Sequence, residues 1–94
     1  MNISVARQGD QDEAASRLLK ALANPHRLRI GRILAEGEIT VGALADSLGL
    51  RESLVSQHLG VMRREKLVSA RRVGQTVFYA LEDQKARDVI GLLA

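Results

Sequence analysis

Cysteine is absent from this 94-residue chain. Without thiols the chain can form no disulfide, no cysteine-ligated metal site, no cysteine nucleophile and no thiol redox switch, and the absence fits a reducing compartment. Aromatic residues make up only 2% of the sequence, and tryptophan is missing altogether. The hydrophobic core must therefore be aliphatic, built from leucine, valine, isoleucine and alanine.

Long apolar runs are missing too. No stretch approaches the roughly 18 residues of a membrane span, and the opening residues MNISVARQGD lack the apolar segment of about 7–15 residues that a signal peptide needs. The length suits one small domain. We therefore expect a cytoplasmic single-domain protein without a membrane partner.

Positive charge is concentrated in one part of the chain. The net charge is +3 overall, but residues 51–76 contain six Lys or Arg and two Glu, so this window carries +4 and the rest of the chain −1. A localised basic stretch is typical of a nucleic-acid-binding surface. A solvated basic surface has the same charge, and charge alone does not separate the two readings.

Periodicity and capping residues predict a mainly α-helical fold with one small β-hairpin, in the order α-α-α-α-β-β-α. Residues 1–9 are polar and without a period, which suggests a flexible N-terminal arm, and residues 10–94 form the domain. The expected helices are residues 10–23, 25–36 (capped by Asn24), 41–48 (capped by Thr40), 52–64 and a last one after the cap Asp83. The expected strands are 67–73 and 76–81, joined at Gly74-Gln75.

Residues 41–60 match a helix-turn-helix. Two helices that cross closely need a small residue at the contact, which Ala45 supplies, and a turn residue that accepts positive φ, which Gly49 supplies. The apolar positions that such a motif buries are filled by Leu44, Leu48, Leu50 and Val55. A generic helical hairpin in a small bundle is the alternative, but the β-hairpin that follows completes a winged arrangement.

The second helix of this motif carries short polar side chains in its N-terminal half, as reading of the DNA major groove requires. The candidate DNA-binding residues are Arg51, Glu52, Ser53, Ser56, Gln57 and His58 on this helix, and Arg71, Arg72, Gln75 and Thr76 on the hairpin. The hairpin residues can lie along phosphates or enter a minor groove. For His58 a hydrogen bond that braces the motif is an alternative to a DNA contact.

Four segments together resemble the ArsR/SmtB family of winged-helix repressors, in the right order: residues 22–30 (LANPHRLRI), 48–50 (LGL), 55–59 (VSQHL) and 74–79 (GQTVFY). The resemblance covers residues from about 14 to 83. It implies a homodimer paired through its first and last helices, which represses transcription by binding an inverted repeat in a promoter. It also implies DNA contacts by Ser53, Ser56, Gln57 and His58, with the hairpin as the wing.

The chain departs from the family at its known sensing sites. It has no cysteine in residues 38–44, where one kind of metal sensor carries them. Asp83 matches a ligand of another kind, but Lys85 stands where that kind has a histidine. We therefore expect no metal site, no cofactor and no thiol switch, and the inducer stays open. At the recognition helix Arg51 replaces the usual serine cap and Glu52 a neutral glutamine, which suggests an altered operator preference.

Apolar residues near both ends of the chain exceed what one small motif can bury, which suggests a partner surface. The candidate dimer-interface residues are Leu18, Leu19, Leu22, Val89, Ile90, Leu92 and Leu93. Completion of the monomer core by the two terminal helices is the alternative.

The sequence therefore predicts a dimeric, sequence-specific transcriptional regulator, most simply a repressor, with double-stranded DNA as its partner. An enzyme is not expected, since Ser56 and His58 are two residues apart on a helix and point in different directions. The alternatives are a winged-helix protein-interaction module that does not read DNA, and a DNA-coating protein that binds without discrimination.

Overall fold

The computed structural model describes the backbone of residues 3–93 and the side chains of residues 9–93, which form five helices and a three-stranded antiparallel sheet. The helices are α1 (Ile3–Leu22), α2 (Pro25–Glu36), α3 (Val41–Leu48), α4 (Glu52–Arg64) and α5 (Gln84–Leu93). The strands are β1 (Ile39–Thr40), β2 (Val68–Val73) and β3 (Thr76–Leu81). The expected mainly α-helical fold with a winged helix-turn-helix is confirmed. None of the described helices is long and apolar enough to cross a membrane.

The first helix starts earlier than its sequence suggested. Its backbone is helical from Ile3, whereas the sequence placed the start of the helix at residue 10; Met1 and Asn2 lie outside the described residues. Ala6, Arg7 and Gln8 are good helix formers, and a single glycine costs a helix only about 1 kcal/mol. The helix therefore continues through Gly9 instead of starting at a cap.

Three of the expected helix caps are present. The side-chain oxygens of Asn24, Thr40 and Asp83 accept hydrogen bonds from backbone N–H groups in the first turns of α2, α3 and α5, at distances of 2.7–3.2 Å. Each bond satisfies a donor that the helix itself leaves without a partner. These local signals place the starts of the three helices where the sequence predicted them.

The strand β1 was not expected. It pairs with β3 through Ile39 opposite Tyr79 and Thr40 opposite Phe78, so the sheet has the order β1-β3-β2. Two residues are too few to show a periodic pattern, which is why sequence reasoning missed the strand. Because Thr40 both ends β1 and caps α3, the sheet fixes the position of the helix-turn-helix relative to the wing.

The wing is the hairpin of β2 and β3, closed by the two-residue loop Gly74-Gln75 between the paired residues Val73 and Thr76. Gly74 has a φ of 63°, while Gln75 does not take positive φ. Positive φ at only the first loop position fits a type II′ turn, which suits the twist of the flanking strands.

The core is aliphatic, as the scarcity of aromatics predicted, and α2 lies at its centre with Ile30 and Leu34 buried. Leu22 and Ile90 are each only 3% exposed and belong to this core. A Cβ on Gly31 would lie 2.6 Å from Ile90 Cδ1, so the glycine allows α5 to approach α2 closely. Leu22 and Ile90 are therefore not surface residues, and their assignment to a dimer interface is corrected.

Candidate nucleic-acid interface

The turn between α3 and α4 has the geometry that its sequence predicted. Ala45 is buried where the helices cross, and Gly49 ends α3 in the left-handed conformation with a φ of 67°. The backbone N–H of Leu50 donates to the carbonyl of Ala45 over 3.1 Å. This bond satisfies a helix-end carbonyl and turns the chain directly into α4.

The helix α4 has two chemically distinct sides. Val55, Leu59 and Met62 are buried in the core and hold the helix in place. Away from them, Ser53, Ser56 and Gln57 are exposed. The buried side thus fixes the helix while the opposite side presents short hydrogen-bonding groups to the solvent, the arrangement that major-groove reading needs.

The start of α4 is unusual because its N-cap residue, Arg51, makes no side-chain capping bond. Arg51 is exposed and free to reach a phosphate. The side chain of Glu52 is exposed in the first turn of α4 and also approaches the first turn of α3, where a Cβ on Gly42 would lie 3.9 Å from its Oε1. A carboxylate close to the N-terminal ends of two helices complements both helix dipoles.

The two wing arginines differ in their surroundings. Arg71 forms an ion pair with Glu38, with Nε 3.3 Å from Oε2, and its guanidinium lies 5.0 Å from the centre of the Phe78 ring. The hydrogen bond and charge of Glu38 raise the pKa of Arg71. The positive charge of Arg71 is therefore already opposed by a carboxylate.

Arg72 lies on the opposite face of β2, because successive side chains of a strand alternate. With Arg63 of α4 and Tyr79 it lines a small cleft of about 240 Å³ between helix and wing. Gln75 and Thr76 are exposed at the wing tip. Arg63 is not among the candidate residues from the sequence; a basic residue in the last turn of α4 was the signal for it.

His58 does not share the exposed face of Ser56 and Gln57. It is half-buried, its Nδ1 lies 3.3 Å from Nη1 of Arg27, and its ring centre lies 5.5 Å from that of His26. Burial, and then the charges of Arg27 and His26, lower the pKa of His58. In this structure His58 thus forms the bracing contact between α2 and α4 that the sequence had left open as the alternative to a DNA contact.

The far side of the molecule carries an exposed apolar surface on the terminal helices. Leu19, Leu92 and Leu93 are 54%, 85% and 53% exposed, and Leu18 and Val89 are half-buried. Leu18, Leu19 and Val89 also line an open groove of about 870 Å³ between α1, the α4–β2 connection and α5. Five of the seven candidate interface residues are thus available to a partner.

Within residues 3–93 the structure contains no group of three or more His, Asp or Glu side chains arranged to hold a metal ion. Asp83, which matches a metal ligand of the family, instead uses its carboxylate to cap α5.

Comparison with known proteins identifies relatives of the whole domain. The family described as "Bacterial regulatory protein, arsR family" matches residues 24–70. The transcriptional activator HlyU of Vibrio cholerae is 46% identical over 76 residues, covering 81% of this chain and 70% of HlyU. The biofilm growth-associated repressor of Agrobacterium fabrum is 43% identical over 76 residues, covering 81% of this chain and 65% of the repressor.

Solved structures have the same fold. Reduced HlyU from Vibrio cholerae superposes with a TM-score of 0.87 at 41% identity, over 93% of this chain and 92% of that one. The homodimeric winged helix-turn-helix domain Mb0332 of Mycobacterium bovis superposes with a TM-score of 0.83 at 32% identity, over 93% and 81%. The family and these relatives are transcriptional regulators with a DNA-binding fold and not enzymes. The chain belongs to the ArsR family of winged helix-turn-helix transcriptional regulators.

Proposed function

We propose that this protein is a dimeric, sequence-specific repressor that binds an inverted-repeat operator. The observation that carries the proposal is the face of α4 on which Ser53, Ser56 and Gln57 are exposed opposite a fully buried side. Short polar groups on a firmly held helix suit base edges, whereas a surface built for solubility alone favours lysine and glutamate. The wing adds Arg72 as a phosphate or minor-groove contact.

A dimer is supported by the apolar surface of α1 and α5. Leu92 and Leu93 are large and exposed on the last helix. Leu18 and Leu19 of the first helix and Val89 of the last line one groove. A second copy related by a two-fold axis would cover this surface on both chains at once. The Mb0332 domain is described as homodimeric. Two-fold symmetry of the protein calls for a matching inverted repeat in the DNA.

Repression is the simpler mode of action for a small basic domain. A dimer seated across a promoter excludes other proteins from the same DNA and needs no further contact. One of the relatives compared is named a repressor and another an activator. Transcription of a reporter behind the selected operator, measured with and without the protein, distinguishes repression from activation.

Metal and thiol chemistry are not expected to regulate the protein, because it has no cysteine and Lys85 takes the place of a histidine ligand. We predict that zinc, cadmium, arsenite and peroxide leave operator affinity unchanged in binding isotherms. Release from DNA by one equivalent of metal per protomer would contradict this prediction.

The test of the function is selection of bound fragments from the source genome, followed by isotherms on the selected operator and on a scrambled duplex. A repressor prefers its operator by about 10³-fold or more. A winged-helix docking module without DNA reading shows only salt-sensitive background binding. A DNA-coating protein binds both duplexes equally well, and either result overturns the proposal.

A further inference from the structure

Two histidines and one arginine meet where α2 packs against the recognition helix α4. Arg27 of α2 donates from Nε to the carbonyl of Ala21 at the end of α1, and its Nη1 lies 3.3 Å from Nδ1 of His58 on α4. His26 lies against His58 with its ring tilted by 55° and its Nδ1 buried without a hydrogen-bond partner. One guanidinium thus connects three helices.

The contact fixes the protonation state of His58. A guanidinium has only donors, so Nδ1 of His58 must be the acceptor. An imidazole that accepts at Nδ1 carries its proton at Nε2 and is neutral. The contact therefore exists only while His58 is uncharged.

This contact lies next to the reading face of α4. Gln57 precedes His58 directly, and both Gln57 and Ser56 are exposed in the same turn of the helix. A side chain held at position 58 limits rotation of α4 about its own axis, which determines where its neighbours point. Base reading tolerates little displacement, since direct hydrogen bonds need about 2.7–3.2 Å between heavy atoms.

Protonation of His58 at acidic pH opposes its contact with Arg27. Among the described residues, the charged or titratable groups that act on the His58 ring are Arg27 and His26, both from α2. Protonation places a second donor opposite the Arg27 guanidinium and a second positive charge beside it. Burial and these neighbours already lower the pKa of His58 below 6.5, so the ring is neutral at neutral pH and takes up a proton only in acid.

We propose that Arg27 is a positioning residue for DNA reading: it sets the rotation of α4 through neutral His58, and protonation of His58 breaks this contact and weakens operator binding. The inference rests on the proposed function, since it concerns how the same helix reads its operator. The inference also predicts the direction of the pH effect. Protonation of a histidine that touched phosphate would strengthen DNA binding, whereas protonation of His58 weakens it.

The test uses isotherms of the protein on the selected operator from about pH 8 to about pH 5.5 at constant ionic strength. Wild-type affinity should be flat at the upper end and fall below about pH 6.5, by at most about tenfold per pH unit for each linked proton. In His58→Asn the amide oxygen replaces Nδ1 as an acceptor that does not titrate. This variant should keep the wild-type affinity at pH 8 and lose the acid decline.

Arg27→Gln removes the charged guanidinium, and the shorter amide ends at about the position of Nε, too far back to reach His58 as Nη1 does. The variant should lower operator affinity by about tenfold at pH 8, as expected for a lost charged hydrogen bond. Its residual binding should not depend on pH. The matched control is Arg29→Gln, which removes the same charge from an exposed position of the same helix. It should keep the acid decline of the wild type. Equal pH profiles for both arginine variants would overturn the inference.

A measurement without DNA separates this inference from the proposed function. NMR titration of the His58 ring in the free protein should show its pKa rise toward 6.5 in Arg27→Gln but not in Arg29→Gln, with the fold checked by thermal unfolding. A His58 pKa indifferent to Arg27, or an operator affinity that rises in acid, overturns the positioning role and leaves the repressor intact. Lack of any operator preference overturns the proposed function itself.

Discussion

At the scale of single residues, the two neighbouring arginines of the wing differ in how available their charges are to a phosphate, because their surroundings differ. Arg71 is paired with Glu38 and lies over Phe78, whereas Arg72 faces α4 and takes part in no ion pair found among the described residues. A charge already opposed by a carboxylate has less to offer a phosphate. We therefore assign the phosphate contact of the wing to Arg72.

Arg72→Ala should weaken binding to operator and scrambled duplex about equally and reduce the slope of log affinity against log salt by about one unit. Arg71→Ala should change that slope less, because Glu38 already neutralises its charge. The measurement is a set of isotherms at several salt concentrations, with Arg29→Ala on the exposed surface of α2 as the charge control. Equal slope changes for Arg71 and Arg72 would contradict the assignment.

The sequence could not have separated these two arginines. Strand alternation places them on opposite faces, but the face that meets Glu38 depends on β1, which has only two residues and no pattern to recognise. The same holds for His58. Its orientation depends on how α2 crosses α4, so a local reading of α4 could not choose between a DNA contact and a brace.

At the scale of elements, the recognition helix begins without a capping side chain. Arg51 has the extended backbone of an N-cap residue, with φ −69° and ψ 144°, but no oxygen to accept from the first turn. The loss is a stabilising bond of about 0.5–2 kcal/mol. Arg51 instead places a positive charge directly before the first turn of α4.

Arg51→Ser should raise the free energy of unfolding by about 1 kcal/mol, because serine supplies the missing cap, and should weaken DNA binding through the lost charge. Chemical denaturation measures the first effect and isotherms the second. Arg51→Ala is the matched control, since it removes the charge without supplying a cap. If serine and alanine give equal stability, the first turn of α4 does not need a cap.

Most elements were predictable because their signals are local. Caps at Asn24, Thr40 and Asp83 and the apolar period of α4 gave helix starts and types. The change of period after α4, with Gly74 as the turn residue, gave the wing. The start of α1 was not predictable in this way. Asp10, where the sequence placed the start of the helix, lies within a continuous helix that runs from Ile3.

At the scale of the whole molecule, the main feature is the apolar surface of the terminal helices, which a single chain leaves exposed to solvent. The sequence predicted the two helices but could not separate their core residues from their exposed apolar residues, since a periodic stripe does not show which side meets the core. The structure assigns Leu22 and Ile90 to the core and leaves Leu92 and Leu93 exposed. The division depends on the close packing of α5 over Gly31.

We predict a dimer at micromolar concentration, and Leu92→Asp with Leu93→Asp should convert it to a folded monomer. Both side chains are exposed in the protomer, so the charges cost little until a partner buries them without a counter-charge. Sedimentation measures the oligomeric state and circular dichroism the fold. Val73→Asp, at a similarly exposed apolar residue of the wing, is the control and should remain dimeric. A wild type that sediments as a monomer would contradict the symmetric account.

The central claim is that α4 reads bases while the wing binds backbone, and one set of isotherms tests it most directly. Ser56→Ala, Gln57→Ala and Arg72→Ala are compared on the operator and on operators changed at single base pairs. Loss of a base contact should cost about 1–3 kcal/mol and relax the preference at one position, so we predict this for Ser56 and Gln57, with Arg72→Ala weakening all duplexes alike. If the two α4 variants keep the full operator preference and Arg72→Ala alone abolishes it, the wing reads the sequence and the account is wrong.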